Sequence, residues 1–309
     1  MFDLFNQTRK FKPMVLGAYD GDKLCGVLLG AFIYERKNFY KLLSSRFVIY
    51  GGPLLTGDET QQAECLDALL KILVQSTRKK ALFIQFRNFF SQEHLLPVYK
   101  KYGFELINRL NYIVHTSERN KVLQNMSESR RRQIRKALNN GSSIIEPENP
   151  DQFRELYNIL FKLYRYKIRK PLPDWSFFEN FYQESKQGRL GIIRLIKYEN
   201  RIIGGIIAPV FKDKFVYEWY VCGLDKEYKD QHPSVLATWA GIDYAIENNI
   251  PAFDFMGVGK PDKHYGVREF KARFGGELVN HGRLTRINNQ FLYGIAEFGF
   301  NVLALLKKI

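Results

Sequence analysis

The chain has 309 residues, 45% of them apolar and 15% aromatic, enough to bury a large core and form two domains of roughly 150 residues each, which excludes a disordered protein. Lys and Arg outnumber Asp and Glu by 47 to 32, a formal net charge of +15 that favours polyanionic partners: nucleic acid, anionic lipid or phosphorylated substrates. Cys25, Cys65 and Cys222 are far apart and have neither CxxC spacing nor His neighbours, so no metal centre or disulfide framework is expected and a reduced cytoplasmic setting fits; neither a signal peptide nor the roughly 18 uncharged apolar residues of a spanning helix is expected.

In chain order, Ala18 to Leu29 reads as a strand, a polar turn and a strand carrying Gly26. An aromatic-rich strand (Arg46 to Tyr50), a helix (Gln61 to Thr77), a short buried strand (Leu82 to Phe86), a loop and a short helix follow. The plan ends on Tyr102-Gly-Phe-Glu-Leu-Ile-Asn108. Between Arg130 and Lys136 lie five cations: Arg130, Arg131, Arg132, Arg135 and Lys136. Such a run suits phosphates of a nucleic acid or an anionic membrane surface, against the plain alternative of a solvated helix face. Tyr164, Arg165 and Arg169 belong to a second basic-aromatic segment that ends at Pro171; two arginines four apart would share a helical face and could grip a diphosphate.

The plan then recurs. Ile196 to Ile207 is strand, turn and strand with Gly204 matching Gly26; the strand Phe215 to Val221, the helix Val235 to Asn248 and the strand Phe253 to Met256 follow; the ending is Phe274-Gly-Gly-Glu-Leu-Val-Asn280. A period this long implies duplicated domains. The most informative stretch is Pro251 to Thr285: a buried strand opening into a glycine-punctuated loop with Lys260 and Tyr265, then a short helix with Phe270 and Lys271. Chemistry in α/β proteins tends to gather where loops leave the carboxyl ends of strands. The first copy has Val98-Tyr99 where the second has Phe270-Lys271. The last helix repeats apolar residues at Phe291, Ile295, Phe298, Val302 and Leu305 and ends on Lys307 and Lys308, a pattern for docking on the body or lying in a membrane surface.

The strand-turn-strand-strand-helix-strand-helix-strand order resembles the GNAT N-acyltransferase fold. The expectation is α/β (α+β): two tandem GNAT-like domains, each a mixed sheet with flanking helices, at 1–118 and 142–287, joined by a basic linker helix at 119–141 and followed by an amphipathic helix at 288–309. An acetyl-CoA-using GNAT domain would carry an R/Q-x-x-G-x-G/A phosphate loop at a helix N-terminus. The corresponding segments here, Lys229 to Ala237 and Gly57 to Ala63, lack it: the first has no glycine and the second places Asp58 and Glu59 against a phosphate.

Several motifs resemble a CoA-independent subset of tandem GNAT proteins, the Fem family of peptidoglycan peptidyltransferases (FemA, FemB and FemX types). Tyr220-Val-Cys-Gly223 resembles its Tyr-x-x-Gly strand end, Ala252-Phe-Asp-Phe-Met-Gly257 its Asp-aromatic-x-Gly strand, and Phe270-Lys-Ala-Arg-Phe-Gly275 its F-K-x-x-F-G helix. Arg130 to Ala137 is similar to its basic R-x-x-I-R-K-A helix, and Tyr50-Gly-Gly-Pro-Leu54 to a first-domain turn. The space between Gly141 and Gly191 is too short for the helical arm of FemA types, so the resemblance is to an armless, FemX-like member.

This resemblance implies an aminoacyltransferase with no tightly bound cofactor, taking an aminoacyl group from aminoacyl-tRNA to an amine of a peptidoglycan precursor, UDP-linked or lipid-linked, in the cytoplasm or at the inner face of the membrane. It implies that Lys271 stabilises the oxyanion, that Phe270 shapes the pocket, and that the Tyr164 to Pro171 segment faces a phosphorylated acceptor. Tyr220, Asp254, Lys260 and Tyr265 are further candidates for substrate binding; Asp254 is read first as a carboxylate accepting backbone N–H bonds that orients the Gly257 loop. Two alternatives stand beside it: an N-acyltransferase using acyl-CoA or acyl-carrier protein on an envelope glycan or lipid, and a non-catalytic nucleic-acid or membrane-binding protein.

Overall fold

The computed structural model describes residues 1–34 and 43–306, and side chains as far as residue 299; the side chains of Val302, Leu305, Lys307 and Lys308, part of the expected apolar helix, lie outside the described residues. The chain divides into two compact units, Met1–Arg109 with Asn280–Ile309, and Leu110–Val279.

The first unit is built on a seven-stranded sheet. Its order is Phe11–Asp20, Lys23–Ile33, Arg46–Gly51, Phe83–Asn88, Arg283–Ile287 and Glu105–Ile107, with Leu54–Leu55 paired to Lys23–Ile33. All neighbours are antiparallel except Arg46–Gly51 with Phe83–Asn88. The helix Glu59–Thr77 begins with a capping box in which the Asp58 side chain accepts from Gln61 N and Gln61 returns a bond to the Asp58 backbone. It buries Leu66, Leu69, Leu70 and Leu73 against Phe47, Ile49, Ile84, Phe86 and Leu284 on one sheet face, a stripe at helical period meeting strands at period two.

The second unit holds an eight-stranded sheet in the order Glu277–Val279, Asn111–His115, Ala252–Asp254, Phe215–Tyr217, Arg201–Phe211, Gly191–Tyr198 and Ser142–Ile145, with Tyr220–Gly223 also paired to Arg201–Phe211. The long apolar helix Pro233–Glu247 packs on it through Val235, Leu236, Trp239, Ile242 and Ala245. The matched glycines of the two copies serve close packing: a Cβ on Gly26 would stand 2.4 Å from Cys65 Sγ, and one on Gly204 2.7 Å from Cys222 O.

The structure corrects three expectations. Residues 119–141 are not a linker: the helices Arg119–Asn125 and Glu128–Asn139 bury Val122, Ile134 and Ala137 in the second unit's core. The units do not part at 118 and 142, because the final strands are exchanged. Asn111–His115, from the end of the first repeat, pairs with Ala252–Asp254 and Glu277–Val279, whereas Arg283–Ile287, from the end of the second, pairs with Phe83–Asn88 and Glu105–Ile107. The expected strand from Phe215 to Val221 is broken in two. Opposite Arg201–Phe211, Val216 faces Val210 but Tyr220 faces Ile207, so four steps on one strand span three on the other and the chain bulges at Glu218-Trp219.

Candidate active site

The bulge marks the place where the second sheet opens. Parallel pairing of Phe215–Tyr217 with Ala252–Asp254 ends at Tyr217 opposite Asp254, with one more bond from Glu218 N to Asp254 O at 2.9 Å. Beyond it Tyr220–Gly223 follows Arg201–Phe211, while the other strand turns left-handed at Met256 (φ 59°) and Gly257 (φ 120°), conformations that favour glycine and strain Met256.

Lys271 reaches into this opening. It is 8% exposed, and its Nζ lies 2.8 Å from Glu218 Oε1 and donates to Phe255 O at 2.6 Å and Gly257 O at 3.4 Å. Phe255's ring lies under the ammonium, 5.2 Å to its centroid. Glu218 is 4% exposed and its other oxygen accepts from Thr238 Oγ1 at 3.4 Å. Burial pushes the Glu218 carboxyl up from its ordinary range, opposed by the charge and hydrogen bond of Lys271 and by Thr238. The pair leaves the ammonium with two short partners and one long one, so its third proton is the one most easily turned to a new acceptor. An ammonium so desolvated and fixed suits charge developing on a carbonyl oxygen.

Asp254, 1% exposed, fixes the other side of the opening. Its Oδ1 accepts from Met256 N at 2.6 Å and Asn111 Nδ2 at 2.7 Å, and Asn111 Oδ1 accepts from Gly257 N at 2.7 Å. The strained turn is thus held by a carboxylate at the end of its own strand and an amide from the neighbouring one. Further along, the Arg268 guanidinium gathers the loop by donating to Val258 O at 3.2 Å, Pro261 O at 3.3 Å and Lys260 O. Lys260 is partly exposed and Tyr265 exposed on this loop.

Phe270 stacks under a buried arginine. Arg130 is 4% exposed, lies over the Phe270 and Phe274 rings at 4.4 and 4.9 Å and donates to Phe270 O at 3.1 Å. Burial, with Arg273 nearby, holds its guanidinium down to about 10 against the pull of Asp225. Arg130 is therefore not part of a phosphate-facing surface, because its helical phase turns it into the core alongside Ile134 and Ala137. Arg131 donates to Leu123 O at 2.6 Å and Lys136 pairs with Asp230 at 2.7 Å. Arg132 and Arg135 are exposed.

Tyr220 follows the bulge and packs on Tyr164, Phe177 and Phe178, with centroids 6.1, 6.4 and 5.1 Å away. Arg165 and Arg169 do not share an α-helical face. Leu163–Ile168 is a π-helix closed by Arg169 N to Tyr164 O at 2.8 Å, and Arg169 leaves it left-handed (φ 56°), so a spacing of four no longer aligns them. Both are exposed. The structure thus joins Lys271, Phe270, Asp254 and Arg130 around one strand end, with Glu218, Thr238, Asn111 and Arg268 as members the sequence reading missed. Glu218 lies inside the apolar Val216-Tyr-Glu-Trp-Tyr220 run, and its lone charge was the available signal.

The two helix N-termini where a CoA pyrophosphate would bind are capped by carboxylates. Asp225 Oδ1 accepts from Ser234 N at 3.0 Å at the start of Pro233–Glu247, where Pro233 also removes one N–H, and Asp58 caps Glu59–Thr77. These residues do not fit a pyrophosphate, since each places negative charge where the ligand would bring its own.

Residues 126–271 match the family described as acetyltransferase (GNAT) domain, so the second unit carries a GNAT acyltransferase domain, within a chain of two mixed sheets. Over 92% of its length the chain has the fold of FemX (17% identity, 90% of that chain covered, TM-score 0.69). It is also similar to the C-terminal domain of a putative lysylphosphatidylglycerol synthetase from Agrobacterium fabrum (14% identity, 97% and 94% covered, TM-score 0.60) and to L-PGS from Bacillus licheniformis (13%, 98% and 92%, TM-score 0.57). No curated protein sequence matches the chain.

Proposed function

We propose that this protein is a Fem-type aminoacyltransferase: the amine of a peptidoglycan precursor peptide attacks the ester carbonyl of an aminoacyl-tRNA, an amide forms, and the terminal ribose hydroxyl leaves. The observation that carries the proposal is the Glu218-Lys271 pair fixed at the open end of the second sheet. Lys271 turns its loosely held third proton, now near Gly257 O, toward the carbonyl oxygen as negative charge develops there. Glu218 and Phe255 O hold the ammonium in place, so little reorganisation accompanies the step. Asp254 and Asn111 hold the loop whose carbonyls line the opening, and Phe270 shapes its wall. The carboxylate-capped helices favour a tRNA ester over acyl-CoA, and exposed Arg132 and Arg135 are the cations left free to meet tRNA phosphates. A cytoplasmic location, with contact to the inner membrane surface, follows from such substrates.

A second reading changes the acceptor to an amine or hydroxyl of a membrane lipid. Phe291, Ile295 and Phe298, 77%, 44% and 71% exposed, form one apolar face of the helix Gln290–Leu306, and two of the similar structures are named for lysylphosphatidylglycerol synthesis. Incubation with pooled charged tRNAs and either peptidoglycan precursors or lipids, followed by mass spectrometry, tests both. A gain of one amino-acid residue abolished by ribonuclease supports the proposal, on whichever acceptor carries it; activity that survives ribonuclease and requires acyl-CoA overturns it.

A further inference from the structure

The two copies carry charge on different sides of equivalent strands. Aligning Glu105 with Glu277 and Ile107 with Val279 places Arg283, which faces Ile107 and Arg87, where the second unit has Asn111, which faces Val279. The same alignment sets Gln85 at the position of Asp254, since each faces the residue paired with the aligned glutamate. Val48 pairs with Gln85 as Tyr217 pairs with Asp254, so Ile49 stands where Glu218 does, and Tyr99 where Lys271 does. The first unit has therefore replaced the buried ion pair by a fully buried isoleucine and tyrosine. On the opposite face Arg283 stands where the lock has Asn111 and Gln85 where it has Asp254, with Arg87 two residues beyond Gln85 and paired to Arg283.

Those arginines converge. Arg283 and Arg87 are directly opposed on antiparallel strands, which places their Cβ atoms about 4.5–5.5 Å apart, an arrangement that is unfavourable for like charges without a counter-ion. Arg87 is aimed by three contacts: its Nε donates to Gln85 Oε1 at 3.3 Å, its Nη1 to Tyr50 Oη at 3.3 Å, and its guanidinium lies 5.0 Å from the Tyr50 ring centroid. Gln85 is held in turn by Thr285 Oγ1 at 3.3 Å as its acceptor. Burial, followed by the like charges of Arg87 and Arg109, holds the Arg283 guanidinium down to about 9, with Tyr50 opposing. Among the described residues no carboxylate pairs with any of the three; the nearest by register is Glu105, exposed and opposite Thr285.

We infer that Arg87, Arg109 and Arg283, with Tyr50, form an anion site in the first unit whose ligand is a diphosphate. Two guanidinium forks opposed on neighbouring strands, Arg87 and Arg283, with the charge of Arg109 from the segment after Glu105–Ile107 acting on Arg283, match a ligand with several terminal oxygens better than a single carboxylate, and each fork can bind two of them. Binding relieves the repulsion that the cluster bears when empty. The site owes nothing to acyl transfer, so it stands or falls separately from the function proposed above.

Calorimetric titration of the full-length chain with pyrophosphate tests it, alongside Arg283→Gln, Arg87→Gln and, as a control on an exposed helix-end cation, Lys100→Gln, with the melting temperature of each variant measured. Saturable binding that weakens at least tenfold in both arginine variants and is unchanged in Lys100→Gln is expected. Competition by a short single-stranded RNA would overturn the diphosphate assignment in favour of nucleic-acid phosphodiesters; indifference to RNA supports it. Absence of saturable binding, or equal affinity in all four proteins, overturns the inference. Because the two arginines lie on different strands, a folding defect in one variant leaves the other to decide.

Discussion

Replacing Lys271 by Met removes the partner of a carboxylate that is 4% exposed and whose other side-chain partner among the described residues is Thr238. Stranding one member of a buried pair costs about 3–5 kcal/mol, which for a unit of this size lowers the melting temperature by roughly 6–20 °C. The loss has a pH signature. Burial already raises the Glu218 carboxyl, and without Lys271 it rises further. A carboxyl whose folded pKa exceeds its unfolded one contributes most stability at low pH and loses it as pH rises through the carboxylate range. Lys271→Met should therefore melt closest to wild type near pH 4 and fall further behind toward pH 8. Adding Glu218→Gln removes the stranded charge, so the double variant should recover more than half of the lost stability at pH 8. Acyl transfer behaves differently: it should fall about 10²–10³-fold in the single variant and stay down in the double. Calorimetry across pH together with a ribonuclease-sensitive transfer assay makes the comparison. Additive losses of stability, with the double variant worse than either single, would refute the coupling; near-normal turnover in the stable double variant would remove Lys271 from the chemistry.

The surrounding contacts give further expectations. Asn111→Ala takes partners from both Asp254 and Gly257 N and should cost about 1–3 kcal/mol in denaturant unfolding. Arg268→Ala frees three loop carbonyls, so limited trypsin cleavage at Lys260 and Lys263 should quicken while the melting temperature moves little. Arg132→Gln and Arg135→Gln should each flatten the salt dependence of tRNA affinity by about one unit of log–log slope or slightly less, whereas Arg130→Gln should leave the slope alone and lower stability. Phe291→Glu with Phe298→Glu should abolish flotation with anionic liposomes without changing the melting temperature; flotation equal to wild type would show that this face does not bind membranes.

Much of this architecture was written in the residues. The strand-turn-strand openings with Gly26 and Gly204, the buried strands and the Phe270-Lys271 pair all fall where periodicity and turn chemistry place them, because each rests on local preferences. The strand exchange was hidden for a definite reason: the shared Gly-x-Glu-Leu-x-Asn ending offers Asn111–His115 and Arg283–Ile287 equivalent neighbours, and only long-range packing chooses between them. Arg130 misled because a cation run is read as a surface until helix phase turns one member onto Phe270 and Phe274. Likewise, Cys25 and Cys65, 40 residues apart in sequence, bring their sulfurs to 3.2 Å, a proximity that no spacing rule reveals.

The duplication also sets two solutions to the same place in the fold side by side. At equivalent positions the second copy spends stability on a buried Glu218-Lys271 pair, while the first fills the place with Ile49 and Tyr99, both fully buried. A buried ion pair is seldom the most stable choice, and apolar residues of similar volume commonly replace it without loss. The first copy shows that this fold accepts the apolar solution at the same strand and helix. The fold therefore does not by itself demand the charged solution in the second copy, and under the proposed function the ammonium is what distinguishes the two. Glu218→Ile with Lys271→Tyr, which transplants the first copy's solution, should fold at least as stably as Glu218→Gln with Lys271→Met and transfer acyl groups no faster. A transplant that unfolds would mean the pair is structural after all.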